Sequence, residues 1–397
     1  MSNLPQGWEV KTLSEIGEIV TGSTPSKSNL DFYGKDYPFF KPSDFEQGYF
    51  LENAGDNLSK LGFDKARQLP PKTILVVCIG SLGKVALTKV IGSCNQQINA
   101  IIPHKNIISE YIYYYCISSK FQSILFSKAP QTTLAILNKT EFSKLEIIYP
   151  KDIKEQERIV GILDFAFSKI DENIKKAKEN LANIDELMQS ALQKAFNPLN
   201  DNTKENYQLP QSWEWKSLGD TSNYGKTSQV KPSQLKGNDW ILELEDIEKE
   251  SGVLLQKVLF QDRQSKSNKI KFNKGDILFG TLRPYLKKVI IADDNGACSS
   301  EIMPFSTGNS ITNHFIYYYL FANFLHDRIS SLTYGARMPR LGTKDGKSLQ
   351  IPLPPLQEQE QIAEHLDFVF EKAKALKELY TKELKDYEEL KQSLLDK

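Results

Sequence analysis

Apolar side chains at Val160, Leu163, Phe167, Ile170, Ile174, Ala177, Leu181, Ile184, Met188, Ala191 and Ala195 recur at alternating spacings of three and four. That alternation makes a helical seam that packs along a partner of the same repeat, and it predicts a left-handed coiled coil. Further along, Ile362, Leu366, Val369, Ala373, Leu376, Tyr380, Tyr387, Leu390 and Leu394 repeat the pattern. Glu383 interrupts it, and Leu384 stands beside the break. Each run is about 40 residues, or about 60 Å as a helix. A rod of that length cannot bury its seam in one small domain, so each seam is expected to cover the other. Antiparallel pairing would place globular parts at opposite ends, related by a pseudo-twofold axis.

Outside the rods the apolar runs are short and broken by Gly, Pro, Ser and Asp, the pattern of strands and loops. Thr73 to Ile79 and Asp276 to Phe279 read as buried strands, whereas Tyr111 to Tyr115 suits helix or strand. Pro150, and Pro352 with Pro354 and Pro355, precede the two rods as helix-entry signals.

The globular parts are related to each other. LPQGWEVKTL at Leu4 matches LPQSWEWKSL at Leu209, and EYIYYYC at Glu110 matches HFIYYYL at His314. TILVVCIGSLGKV parallels DILFGTLRPYLKKV, LEIIYP parallels LQIPLP, and KEQERIVGILD parallels QEQEQIAEHLD. The matches keep one order at nearly constant offset, so the chain is a tandem duplication of a unit of roughly 200 residues. The expected class is α+β: two globular α/β-mixed parts separated by two long helices that pair as an antiparallel coiled coil.

Composition adds little until it is resolved by region. Lys plus Arg and Asp plus Glu each total 50 in 397 residues. Residues 1–150 and 209–354 are net +2 and +4, while 151–208 and 355–397 are net −2 and −4. Cys78, Cys94, Cys116 and Cys298 form no CxxC pair and read as buried thiols in a reducing compartment. No signal layout and no membrane-spanning run stands out, so a soluble, cytoplasmic chain without a membrane partner is expected.

Two basic clusters suit phosphate neutralisation or guanine reading. One holds nine cations between Lys257 and Lys288, among them Lys266, Lys269, Arg283, Lys287 and Lys288. The other sets Arg337 and Arg340 in a Gly-rich loop with Lys344 and Lys347. The corresponding part of the first half is richer in amides and hydroxyls: Ser81 and Lys84 in GSLGKV, Asn95 and Gln96 after Cys94, and Gln131 and Thr132 before an apolar run. Amides pair bidentately with adenine, although most loop amides only cap turns.

The chain carries no recognisable chemistry of its own. GSLGKV lacks the first Gly and the hydroxyl of a phosphate loop, and no GxGxxG or HExxH is present. The histidines have no ligand spacing, so no metal and no catalytic residue is assigned. An adenine methyltransferase would need an NPPY or DPPY that is missing. Two related modules on stiff spacers suit a chain that binds something twice at a fixed separation, as half-sites on a duplex require. A protein-binding adaptor is the rival in another class. The duplication also offers an enzyme partner two near-equivalent docking places, with the C-terminal helical ends and the surroundings of Gln156 and Gln359 as candidates.

These motifs together resemble the specificity subunit of type I restriction-modification systems. LPQGWEVKTLSEIG and LPQSWEWKSLGD open each half, and FFKPSDF at Phe39 matches ILELEDI at Ile241. PKDIKEQERIVGILD and PLPPLQEQEQIAEHLD lead into the rods. The resemblance implies two target recognition domains, about 1–150 and 209–354, with conserved helical regions at 151–208 and 355–397. It further implies a non-catalytic chain that reads an asymmetric bipartite target in double-stranded DNA. Such a chain recruits two methyltransferase (modification) subunits and two restriction/translocase subunits. S-adenosylmethionine, ATP and Mg would belong to those partners, with no cofactor in this chain.

Overall fold

The structure, a computed structural model, describes residues 4–129, 135–201, 207–263 and 265–396. The chain forms two compact units, one of Met1–Ala177 with Lys382–Lys397, the other of Lys178–Thr381.

In the first unit Trp8–Thr12 pairs antiparallel with Glu146–Pro150. A five-stranded sheet runs in the order Gly17–Thr21, Ile98–Pro103, Ile74–Val77, Val85–Thr88 and Phe50–Leu51. All four residues of Ile74–Val77 are buried, because both faces of the sheet are covered. The twofold period of a strand divides them. Ile74 and Val76 pack with Tyr111, Ile112, Phe121 and Leu125 from the helices Ser109–Ile117 and Ser119–Lys128, whereas Leu75 and Val77 pack with Phe40, Phe45 and Leu51.

The second unit repeats this plan. Glu214–Ser217 pairs antiparallel with Gln350–Leu353. Ile277–Gly280 lies between Val289–Ile291 and Ile302–Phe305. Ile277 and Phe279 face Phe315, Ile316 and Tyr319, while Leu278 faces Trp240, Ile290 and Cys298. The helix Asn313–Tyr319 carries the second tyrosine strip and is capped by Thr312, whose side chain accepts from Phe315 N. Both strips are therefore helical. A helix presents tyrosines three and four apart on one side, which a strand would divide between two faces.

The long helices are Ile153–Phe196 and Leu356–Leu395, each starting just after its proline signal. They run antiparallel where they meet. In the first unit Leu395 packs on the core beside Leu163 and Phe167, and Lys391 pairs with Asp171. In the second unit Ala373 packs with Ile184 and Met188, and Lys377 pairs with Asp185. Along the predicted seam Val160, Ile170, Ile184 and Leu366 are buried, and Leu163, Phe167, Ile174, Leu181 and Ile362 are half-buried.

Two seam positions are corrected. Leu376 and Leu390 are 41% and 46% exposed. The residues that turn inward are their neighbours Lys377 and Lys391, with side chains 32% and 26% exposed. The observed inward line is Ala363, Leu366, Phe370, Ala373, Lys377, Tyr380, Leu384, Tyr387 and Lys391, all buried or half-buried. It keeps the three–four alternation through Leu384 and removes the break at Glu383. A scan for apolar residues passes over it because lysine buries its methylene stem and keeps only the ammonium near water. The Lys391 ammonium accordingly lies 5.2 Å from the Phe167 ring centroid.

Candidate nucleic-acid interface

The strand Ile277–Gly280 leaves the sheet core of the second unit into the loop Thr281–Lys288. A short turn at Pro284–Leu286 reverses this loop, with Arg283 at φ 50° and Lys287 at φ 45° on either side. A two-stranded hairpin, Thr333–Tyr334 with Arg340–Leu341, crosses it. Arg283 N donates to Pro339 O at 2.7 Å, Leu341 N donates to Thr281 O at 2.9 Å, and Leu282 bridges to Arg340. The backbone of each loop thus fixes the other. Tyr285, Tyr334 and Met338 project from this crossing, 48%, 60% and 59% exposed. The sequence scan missed these three, although aromatics interleaved with arginines in RPYL and TYGARMPR were the available signal.

Partners separate the cations of this unit into two groups. Lys257 pairs with Asp293 and Asp294. Arg263 donates through Nη2 to both carboxylate oxygens of buried Asp246, at 2.7 and 2.9 Å. Lys269 is 2% exposed and donates to Glu243 at 2.8 Å. Lys288 Nζ donates to Leu244 O at 2.7 Å. Lys287 is 6% exposed, and its ammonium donates to Phe321 O at 3.2 Å and to Asn323 Oδ1. Burial pushes the Lys287 pKa below its usual range. Lys269 and Lys287 are thus corrections to the predicted phosphate contacts. A buried ammonium needs its partners where it sits, and these two spend their donors inside the protein. By contrast, Arg283, Arg337 and Arg340 have no ion pair or side-chain hydrogen bond among the described residues. Lys266 is exposed and stands on a separate segment, before Lys269–Phe272.

The first unit has the same loop crossing. Gly80 N donates to Ala135 O, Leu137 N donates to Cys78 O at 2.9 Å, and Ile79 bridges to Ile136. Ser81 is exposed on this loop. Lys84 is taken up by an ion pair with Glu46. Gln96 is exposed and accepts from Thr24 Oγ1. Asn95 is only 7% exposed and closes a turn by accepting from Gln97 N and donating to Gln97 Oε1. Its role is therefore local geometry, a correction that follows from the tendency of Asn to bond its own backbone two residues on. Gln131 and Thr132 lie outside the described residues.

Each unit fastens its long helix to its globular part with the same buried set. Gln156 is 0% exposed; its Oε1 accepts from Ile108 N at 2.9 Å and its Nε2 donates to Pro150 O at 2.9 Å. Gln359 is also 0% exposed, and it accepts from Thr312 N at 3.0 Å and donates to Pro354 O at 2.8 Å and Ser310 O at 3.0 Å. Tyr114 donates to Asp164 and packs edge-on against Phe167, as Tyr318 does with Asp367 and Phe370. The repeated tyrosine strip is thus an anchor for the helix. The two glutamines are buried clamps, so a partner docking in their surroundings would meet other side chains. Phe165 and Phe368, nine residues beyond each clamp, are instead 68% and 59% exposed.

No group of three His, Cys, Asp or Glu among the described residues is placed to hold a metal ion. The four thiols are buried, and burial pushes those of Cys78 and Cys94 up to about 12. No helix among the described residues is long and apolar enough to cross a membrane.

Duplicated heads, clamped helices and a loop crossing whose three arginines have no partner among the described residues define an internally repeated binding scaffold. The chain belongs to the family described as type I restriction modification DNA specificity domain, whose model matches residues 5–183 and 210–385. It is 39% identical over 176 residues to the type I restriction enzyme HindI specificity subunit of Haemophilus influenzae, covering 43% of this chain and 38% of that protein. It is 29% identical over 229 residues to the MjaIX specificity subunit of Methanocaldococcus jannaschii, covering 55% of this chain and 52% of that protein. The chain therefore matches about two fifths and one half of the length of these two relatives. Against the EcoDI specificity subunit of Escherichia coli, identity is 22% over 418 residues, with 99% and 88% coverage. Two solved structures share the fold. One is a chain from a structural study of complex assembly and conformational transition of the type I R-M system, with TM-score 0.79, 18% identity and 100% and 98% coverage. The other is the HsdS subunit from Thermoanaerobacter tengcongensis, with TM-score 0.57, 19% identity and 99% and 96% coverage.

Proposed function

We propose that this chain is the DNA-reading, non-catalytic subunit of a type I restriction-modification complex. Residues 1–150 and 209–354 act as its two target recognition domains, 151–208 as the central helical region and linker, and 355–397 as the distal helical region. Each recognition domain reads one half of an asymmetric bipartite target in double-stranded DNA. The paired helices set the gap between the halves. Two methyltransferase subunits and two restriction subunits assemble on the chain and bring S-adenosylmethionine, ATP and Mg with them.

The observation that carries this reading is the loop crossing of the second unit. There Arg283, Arg337 and Arg340, which have no partner among the described residues, gather beside exposed Tyr285, Tyr334 and Met338. Unpaired guanidinium groups supply phosphate neutralisation and base reading together, and exposed aromatic and thioether groups add contact with base edges and faces. Ser81, Gln96, Gln131 and Thr132 are the corresponding candidates in the first unit, with Lys266 as a further phosphate contact in the second. Exposed Phe165 and Phe368 stand at equivalent places in the two repeats and are the candidates for docking two copies of one partner.

The test is co-purification with the modification subunits, followed by mapping of adenine methylation. One enriched bipartite motif with a fixed gap supports the reading. Partner binding without any DNA motif would favour the adaptor.

A further inference from the structure

We propose that Arg283 reads a guanine base within the half-site of the second recognition domain. The inference rests on the DNA reading above and deepens it.

Its first support is backbone conformation. Arg283 sits at φ 50°, in the left-handed region that side chains with a Cβ rarely adopt. The same turn of the first unit holds Gly80 at φ 85°, the residue type that enters this region freely. A non-glycine at such a place persists when the surroundings enforce it, and it points to a use for the side chain. The enforcement is visible: Arg283 N donates to Pro339 O, and Leu286 N donates to Arg283 O at 2.9 Å.

The second support is the state of the side chain. It is half-buried, and Nε is fully covered yet has no hydrogen-bond partner. No carboxylate answers it among the described residues. The stem is thus held, and only the terminal pair of nitrogens is left to meet a ligand. That pair matches the O6 and N7 acceptors of guanine. A held stem with a fixed fork suits a base edge, whereas a phosphate is served equally well by a mobile cation. Arg337, at the hairpin tip, is exposed and lacks that cover.

The experiment uses the full chain co-purified with its methyltransferase subunits and selects bound sequences from a library of random duplexes. Arg283→Gly, Arg283→Ala and Arg337→Ala are compared with the wild type at several salt concentrations. Arg283→Gly is expected to melt at or above the wild-type temperature, because glycine accepts the turn. Both Arg283 variants should lose the guanine preference at one position of one half-site. Binding of the preferred sequence should fall on the order of tenfold or more, with the salt slope unchanged. Arg337→Ala should keep the preferred sequence and lower the salt slope. An unchanged sequence profile in Arg283→Gly would overturn the assignment. So would a uniform loss over all sequences with a shallower slope, which marks a phosphate contact. If the wild type itself enriches no sequence, the DNA reading falls and takes this assignment with it.

Discussion

Replacing Gln156 by leucine tests how the long helix is joined to the first unit. Leucine has a similar volume, so packing is nearly kept while every polar contact is removed. Two good bonds vanish, Ile108 N to Oε1 and Nε2 to Pro150 O, along with a longer one to Asn106 O at 3.4 Å. The side chain is 0% exposed, so water does not replace it without opening the structure. One part-buried N–H and one buried carbonyl are left unpaired at about 1–3 kcal/mol each, giving a local loss of about 2–6 kcal/mol. Since about 1.4 kcal/mol is a factor of ten, the Ile108 amide should exchange with solvent at least about thirtyfold faster. Gln359 makes three good bonds, so Gln359→Leu should cost somewhat more, and at Thr312 instead. Hydrogen exchange resolved by peptide is the assay, because each variant then serves as the control for the other unit. Unchanged protection at Ile108 in Gln156→Leu, or equal loss in both units, would refute the clamp.

Two further outcomes follow from buried or half-buried charge. His326 is 6% exposed, its Nε2 donates to Leu320 O at 2.6 Å, and its Nδ1 is buried without a partner. Burial and nearby Lys287 push its pKa down to about 4. Between about pH 6.5 and 4 the unfolded chain binds the extra proton and the folded one does not. The contribution is therefore fully present above about 6.5 and lost as pH falls, by about 3 kcal/mol. Denaturation of the second unit followed from pH 7 to 4 should show this slope, and His326→Gln should remove most of it. Lys377 and Asp185 pin the register of the helix pair in the second unit. A slip of one heptad would set Lys377 against Lys178 one way and against buried Leu192 the other. Lys377→Asp should cost about 1 kcal/mol, and adding Asp185→Lys should restore most of it. A double-mutant cycle with no coupling would reject the pin.

Much of the architecture was legible because it rests on periodicity and repetition. The duplication, the buried strands around Ile74 and Ile277, and the two long helices follow from which residues are apolar and how far apart they stand. Such spacing reports which face of an element is hidden. It does not report what lies opposite, and this is why the second seam was read one residue off at Leu376 and Leu390. Only the partner helix, with Asp185 and Asp171 waiting, makes Lys377 and Lys391 the inward residues. The same holds for the candidate interface. Counting cations selected Lys269, Lys287 and Arg283 alike, because charge is a property of the residue. Whether a charge is free depends on groups distant in the chain, such as Glu243 for Lys269 and Phe321 O for Lys287. Local chemistry along the chain therefore settled the class of this protein and its repeated plan. Folding settled which arginines remain without a partner among the described residues, because pairing is decided by neighbours that only the tertiary structure brings together.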